Sequence, residues 1–547
     1  MLAHPSSMAQ RPKATFLGLP LELRQRIYHE YFKVDGGYIY DGDSDKLVQA
    51  DRLPISISLR YACRSVAEET RPFPFKLNSI TFSALYRKDL QHQAAIHNNL
   101  IQFHTALLSE LLLRMRRCVT PEMFDQVEEV APQYVGCIKQ LINTYLRTDG
   151  HPRFPPVDFQ AVTNFDHRES PNKANLGWGD STVGFQRAIV CILHQINVKN
   201  AADIAEAIDE VLPEWSVSSS PEELFDMSFD HWDIPSLFCL REAAERLQRQ
   251  RFLESLDNWQ RIQDNDPRYK GPRYRYRRKY WFSATAVAIR FLARLSPIQR
   301  GYLRKLILNE DRISVGFPES HAIGMIPFCK ENPKLHLEQR IDVWHHIVAH
   351  SQIPAYKLAN MYFERSEPEA GESYSLDDIF GPGQDFDFTN WVVHGLEVVK
   401  AGMPEGSWSV VFDGEPDLNL ATDLFTTLLK RTIVWQTFYS DCVSLGLFTN
   451  PTHPDYPFAT VPLDGRAPES RRSSIFQCNF NLDRPWNLDE IAADHNIHND
   501  RHEGRLDIWL RTVNLESEPI YFRISSPTVN IRQLCLVCFE RERISDD

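Results

Sequence analysis

Glycine is scarce in this chain, with 23 in 547 residues. None of them builds a phosphate loop, a dinucleotide fingerprint between strand and helix, or a nucleophile elbow. The commonest backbone cradles of nucleotide enzymes and esterases are therefore missing. The ten cysteines are scattered between 63 and 538, without the dense, even spacing of a disulfide scaffold. Reduced thiols in the cytosol or nucleus are the simpler reading. The start, MLAHPSSMAQRPK, has no apolar core of the kind a secretory signal needs. No uncharged apolar run is long enough to span a bilayer; the best, 283–295, is interrupted by Arg290 and Arg294. Excess positive charge is absent too. A formal net charge of −13 argues against broad, sequence-independent nucleic-acid binding, though a local basic patch stays compatible with it. The expected location is intracellular, cytoplasmic and/or nuclear.

Core-forming material is plentiful. Apolar residues make up 43% and charged residues 24%, which is the balance of a globular protein. The length predicts about three to four compact units. The patterning predicts an α+β fold, predominantly α-helical with short strands. The expected boundaries are a disordered start at 1–14, a first module at 15–85, and a helical region at 86–262 with a long loop at 149–180. A mixed segment at 263–365 and an acidic loop at 366–387 follow. A helical segment at 388–449, a proline-rich linker at 450–473 and a mixed strand–helix region at 474–547 complete the chain.

The most informative stretch is FLGLPLELRQRIYHEYF, 16–32. Pro20 stands where a helix would begin, a position that tolerates its missing N–H. Leu23, Ile27 and Tyr31 recur at helical spacing, with Tyr28 and Phe32 beside them, and predict one apolar stripe. The segment 33–46 reads as a loop or weak hairpin. Leu59, Ala62, Cys63, Val66 and Ala67 predict a second helical stripe, stopped at Arg71 before Pro72. LNSITFSA reads as a strand. Further along, 100–117 reads as an amphipathic helix, 235–262 as the longest continuous helix, Ser296-Pro297 as a capped helix start and LRKLIL as a strand. SWSVVFD, SIFQCNFNL, RLDIWLRTVNL and PIYFRIS are further strand candidates.

The first module resembles the F-box-like opening of filamentous-fungal proteins. The likeness rests on Leu19, Pro20, Glu22, Leu23, Arg24, Ile27 and Tyr28, then Cys63, Arg64, Glu68 and Asn78. The block around LRKLIL and 319–347 is similar to one found in the same proteins. This resemblance implies a helix that docks on the Skp-type adaptor of a cullin–RING ubiquitin ligase, through Leu19, Pro20, Leu23 and Ile27. The alternative is that the same stripe packs on the helix containing Cys63 and Val66 and stays internal.

Other constellations are weighed against simpler roles. The run 268–282 interleaves Arg273, Arg275, Arg277, Arg278 and Lys279 with tyrosines and Trp281. Cations and rings of this kind serve single-stranded nucleic acid, or else form an edge strand whose arginines are solvated or paired to carboxylates. His345, His346 and His350 lack the glutamate of a zinc protease. His495, His498 and His502 with Cys535 and Cys538 offer zinc-type ligands, but positions 535 and 538 of a strand point to opposite faces. His321, Cys329 and Glu331 lack any motif that would orient a thiol nucleophile. No cofactor, metal or catalytic set is expected. The leading expectation is a non-enzymatic interaction protein, an F-box-like subunit recruiting an unknown protein substrate. Its rivals are a nucleic-acid-associated protein using 268–282, an enzyme of unrecognised type and a purely structural fungal protein.

Overall fold

The computed structural model describes residues 15–144, 183–261, 274–349, 373–375, 387–427, 475–481, 521–523 and 529–544. Within them the fold is α+β and mostly helical, as expected. The strands are β1 (Tyr38–Asp41), β2 (Lys46–Gln49), β3 (Ile80–Ser83), β4 (Gln260–Arg261), β5 (Tyr274–Arg278), β6 (Lys305–Glu310), β7 (His336–Asp342), β8 (Ser373–Ser375), β9 (Trp408–Asp413), β10 (Phe476–Cys478), β11 (Tyr521–Arg523) and β12 (Phe539–Arg543). Seven of them form one sheet in the order β10-β9-β7-β6-β3-β1-β2. Its neighbours are parallel throughout, except that β2 returns antiparallel on β1 as a hairpin.

Apart from that hairpin, the strands follow chain order across the sheet. Each crossover steps in the same direction. Buried and half-buried residues alternate along β1, β3, β6 and β7, whereas the first three residues of β9 are all buried. On the covered face the register aligns Ile80, Leu306, Leu337 and Trp408 in one ladder. Phe82, Leu308, Gln339 and Val410 make the next.

The helices that matter for the site are α1 (Leu21–Phe32), α2 (Arg64–Thr70), α3 (Phe73–Leu77), α4 (Gln91–Arg114), α5 (Ala284–Arg294) and α6 (Asp387–Lys400). Helix α5 is pinned to the covered face by buried polar groups. Ser283 caps it, accepting from Ala286 N–H at 2.9 Å. Glu310, at the end of β6, accepts from Ala284 N–H, Thr285 N–H and the Thr285 hydroxyl at 3.0, 3.1 and 2.7 Å. Gln339 accepts from the Trp408 indole at 3.2 Å. The Ser296-Pro297 start is present with a full capping box.

Three local expectations are corrected. The 100–117 helix is not amphipathic: 20 of the 24 residues of α4 are buried, because the helix is surrounded by other elements. The stretch 235–262 is not one helix. Helix Leu237–Arg246 ends where Gln248 takes a positive φ of 55°, and a 3₁₀ segment and β4 follow. Thr120-Pro121, which reads as a capped helix start followed by proline, does not open a helix; the helix begins later, at Met123.

Five histidines are fully buried around α4: His97, His104, His231, His321 and His394. Burial pushes His97, His104 and His394 down to about 4 and His321 to about 3, and holds His231 well below its ordinary value. They fold neutral, whereas the unfolded chain takes up these protons below about 6.5. Their contribution is therefore present above that pH and is lost as pH falls toward 4. Glu310, pushed up to about 7 by burial, acts in the opposite sense, and burial raises Glu110, Asp230 and Asp311 as well, but the five histidines outnumber these four carboxyls. The urea midpoint of unfolding is expected to fall steadily between pH 7 and 5. A His394→Leu variant should lose less over the same interval. A midpoint unchanged across that range would contradict this assignment of the neutral histidines.

Candidate docking face on the first helix

Helix α1 divides its apolar residues between two sides. Tyr28 and Phe32 are buried and form, with Val66, a small core separate from the main one. Phe16, Leu59, Phe73 and Leu77 pack around it. The Tyr28 ring meets Phe16 at 5.7 Å and Phe73 at 5.6 Å between centroids. The single stripe expected from the spacing is thus two faces. Leu23 and Ile27 point away from this core and remain 45% and 43% exposed. Leu17, Leu21 and Tyr31 are exposed with them, and Ile57 and Tyr61 extend the apolar surface. Of the four residues expected to dock, Pro20, Leu23 and Ile27 are exposed and Leu19 is half-buried. Pro20 occupies the capping position just before the helix and not its first turn.

Polar groups hold this orientation. The Arg24 guanidinium donates to both oxygens of Glu69, at 3.0 and 2.7 Å. It also donates to the carbonyls of Leu17 and Leu19, fixing the turn that precedes the helix. The Tyr28 hydroxyl donates to Glu69 at 2.8 Å. Arg24 and then Tyr28 hold the Glu69 carboxyl below the usual range, while burial and Glu69 push Tyr28 up to about 12. At the other end, the buried Asn78 amide accepts from Val34 N–H at 2.8 Å. It donates to the carbonyls of Phe32 and Pro74 at 2.8 and 2.9 Å. One side chain thereby joins the end of α1, α3 and the entry to β3. The Tyr31 hydroxyl meets Ser56 and Ser58 at 2.6 and 2.8 Å, and these bonds pull it below its ordinary value.

The second stripe is corrected. Residues 58–61 form a 3₁₀ turn and Cys63 is extended, so α2 begins only at Arg64. Of the stripe, Val66 is buried, while Ala62 and Cys63 are exposed. The carboxylate that ties the module together is Glu69 and not Glu68, which forms an exposed pair with Arg64. Sequence reasoning missed Glu69 because the two acids are adjacent; only helix phase separates them. It also missed Leu17 and Leu21 on the outer face.

In the basic–aromatic run, Arg273 lies outside the described residues. Strand β5 is central in a three-stranded sheet, between β12 and β4, and not an edge. Arg275 faces Glu542 and Arg277 faces Glu540 in register, and each pair forms a salt bridge. Both guanidiniums also lie over the Trp259 ring, at 5.0 and 5.1 Å. Arg278 lies over Tyr280 and Lys279 over Tyr86. Tyr276 and Tyr280 are buried, which removes them as stacking platforms.

The remaining constellations come apart. His345 bonds to Asp342 at 2.9 Å and His346 to the Arg312 carbonyl at 3.1 Å; His350 lies outside the described residues. Cys538 is buried, and His495, His498 and His502 lie outside the described residues. Cys535 falls in the helix Ile531–Val537 and not in a strand. His321 has both ring nitrogens engaged, with Ser283 at 2.6 Å and the Gly316 carbonyl at 2.8 Å. Glu331 pairs with Arg300, and burial pushes the Cys329 thiol up to about 11. Among the described residues no cluster of histidine, cysteine and carboxylate could hold a metal ion, and no helix is long and apolar enough to cross a membrane.

Comparison of the chain with protein-family models, with curated proteins and with solved structures returned no match.

Asn78→Ala leaves three buried backbone groups without their partner and is expected to destabilise the module by about 2–3 kcal/mol. The readout is faster amide exchange across 21–32. Leu23→Ala, on the exposed face, should stay within about 0.5 kcal/mol of the parent. Equal protection in the two variants would contradict the division of α1 into an inner and an outer side.

Proposed function

We propose that this chain is a non-enzymatic interaction protein that docks through the outer face of α1, as an F-box-like recruiting subunit of a cullin–RING ubiquitin ligase. One observation carries the reading. The helix satisfies its own core with Tyr28 and Phe32 and leaves Leu23 and Ile27 in water. Exposed apolar residues at helical spacing are the anchors of helix-in-groove recognition. Full burial of a leucine or isoleucine stabilises by roughly 1.5–3 kcal/mol, so the exposed halves of Leu23 and Ile27 together retain about 2 kcal/mol for a partner. Pro20, Leu21 and Leu17 lie next to them and widen the contact.

The experiment is capture of the Skp-type adaptor by the full chain. Wild type is expected to retain it, and Leu23→Asp combined with Ile27→Asp to lose it, with unfolding of the variant unchanged because both side chains are exposed. Equal capture by the two proteins would sink the proposal. The pairing of Arg275 and Arg277 with Glu542 and Glu540 lends no support to a nucleic-acid reading of 268–282.

A further inference from the structure

Between the helices Ala201–Val211 and Pro221–Phe225 the chain carries four serines, at 216, 218, 219 and 220. This stretch is fastened at both ends. Asp209 accepts from Ser216 N–H at 2.8 Å, and the indole of buried Trp215 donates to the Ser220 carbonyl at 3.1 Å. Between these ties the chain stands in solvent: Val217 is 83% exposed, and Ser218 is exposed with it. Ser219 is extended, at φ −141° and ψ 150°, and Ser220 continues at −84° and 160°. Both border an open groove of about 530 Å³.

The four hydroxyls differ in what they do. Ser216 gives its hydroxyl to Asp209, and Ser220 caps the next helix, accepting from Glu223 N–H at 3.4 Å. Those of Ser218 and Ser219 have no partner among the described residues. Three and four positions beyond Ser219 stand Glu222 and Glu223, both exposed. Bonds from its own N–H and from Ser220 hold the Glu222 carboxyl below the usual range, so it is charged at neutral pH. No lysine or arginine lies among the five residues before Ser219.

We propose that Ser219 is a phosphorylation site for an acidophilic serine/threonine kinase. Charge patterns around the acceptor separate the substrates of different kinases, and cations in the kinase groove would meet Glu222 and Glu223. The Ser219 oxygen bonds to the γ-phosphorus of magnesium-bound ATP and the bond to the β-phosphate oxygen breaks. ADP leaves, and the hydroxyl proton passes to the catalytic aspartate of the kinase. Ser219 already has the extended backbone that an acceptor needs. The glutamates reach the groove by opening Pro221–Phe225, a single turn too short to be stable alone. Ser65 is followed by Glu68 and Glu69 at the same spacing, but it lies inside α2, and Glu69 is taken by Arg24 and Tyr28. Ser220 precedes proline, as the acceptors of proline-directed kinases do, but its hydroxyl is spent on the helix cap. The phosphate adds a charge of roughly −1.5 to −2 beside two carboxylates. The result is an acidic epitope of the kind an arginine cluster recognises. The proposal is independent of docking through α1.

The test incubates the full chain with magnesium ATP and casein kinase 2, an acidophilic enzyme, and maps phosphate by mass spectrometry. The cyclic-AMP-dependent kinase, which reads basic residues, is the control. Ser219 is expected to carry phosphate with the first kinase and not with the second, while Ser65 and Ser220 stay unmodified. Ser219→Ala should remove the phosphate. Glu222→Gln should slow its transfer at least ~5-fold with unchanged thermal unfolding. The Leu23→Asp, Ile27→Asp chain should be modified like wild type. No phosphate at Ser219, phosphate at Ser65 or Ser220 in its place, or an equal rate in Glu222→Gln would overturn the proposal.

Discussion

The burial of Tyr28 and Phe32 against Val66 decides what α1 offers to solvent. A helix of twelve residues has room for one inward face, and the two aromatic rings occupy it. Leucine and isoleucine are left outside, although by hydrophobicity alone they compete equally for the interior. The choice is enforced by directional bonds. Glu69 can receive Arg24 and Tyr28 together only with the helix in this rotation. Asn78 then fixes where the helix ends. Removing either group frees the rotation and with it the identity of the exposed stripe.

The second constraint is the one-way order of the sheet. A parallel sheet is ordinarily buried on both faces, because crossovers leave helices on each. Here the described strands follow chain order. One face is apolar or paired to buried groups, as Glu310 and Gln339 are to α5, while the residues of the other are mostly half-buried.

Local signals were legible. The Ser296 cap with Pro297, the LRKLIL strand and the break at Arg71 before Pro72 follow from short-range chemistry. What failed required tertiary knowledge. Strand β7 was invisible because Glu338 and Arg340 interrupt its hydrophobic pattern on the open face, and its buried Gln339 reads as a surface residue. The 100–117 stretch looked amphipathic because Gln102, His104, Thr105 and Ser109 are polar, yet all are buried. The break at Gln248 depends on a backbone angle that no glycine announces. On α1 the spacing supplied five apolar residues but not which of them turn inward, since aliphatic and aromatic stripes share one period.

The hairpin β1–β2 connects these two constraints. As a sequence, 33–54 was an overlong link between two short helices. In the fold it is the edge of the main sheet, with β1 parallel to β3. Gly37 makes this possible: at φ +73° its bare Cα lies against Ser79, where a Cβ would come within 2.6 Å of the carbonyl. The docking helix is therefore not tethered to the body by a flexible linker. It leaves through Phe32 and Val34, both bonded to Asn78, directly into the first strand. For the docking role proposed above this has a mechanical consequence: a partner held on α1 keeps one fixed separation and angle from the main sheet, whereas a mobile linker would spread it through a volume.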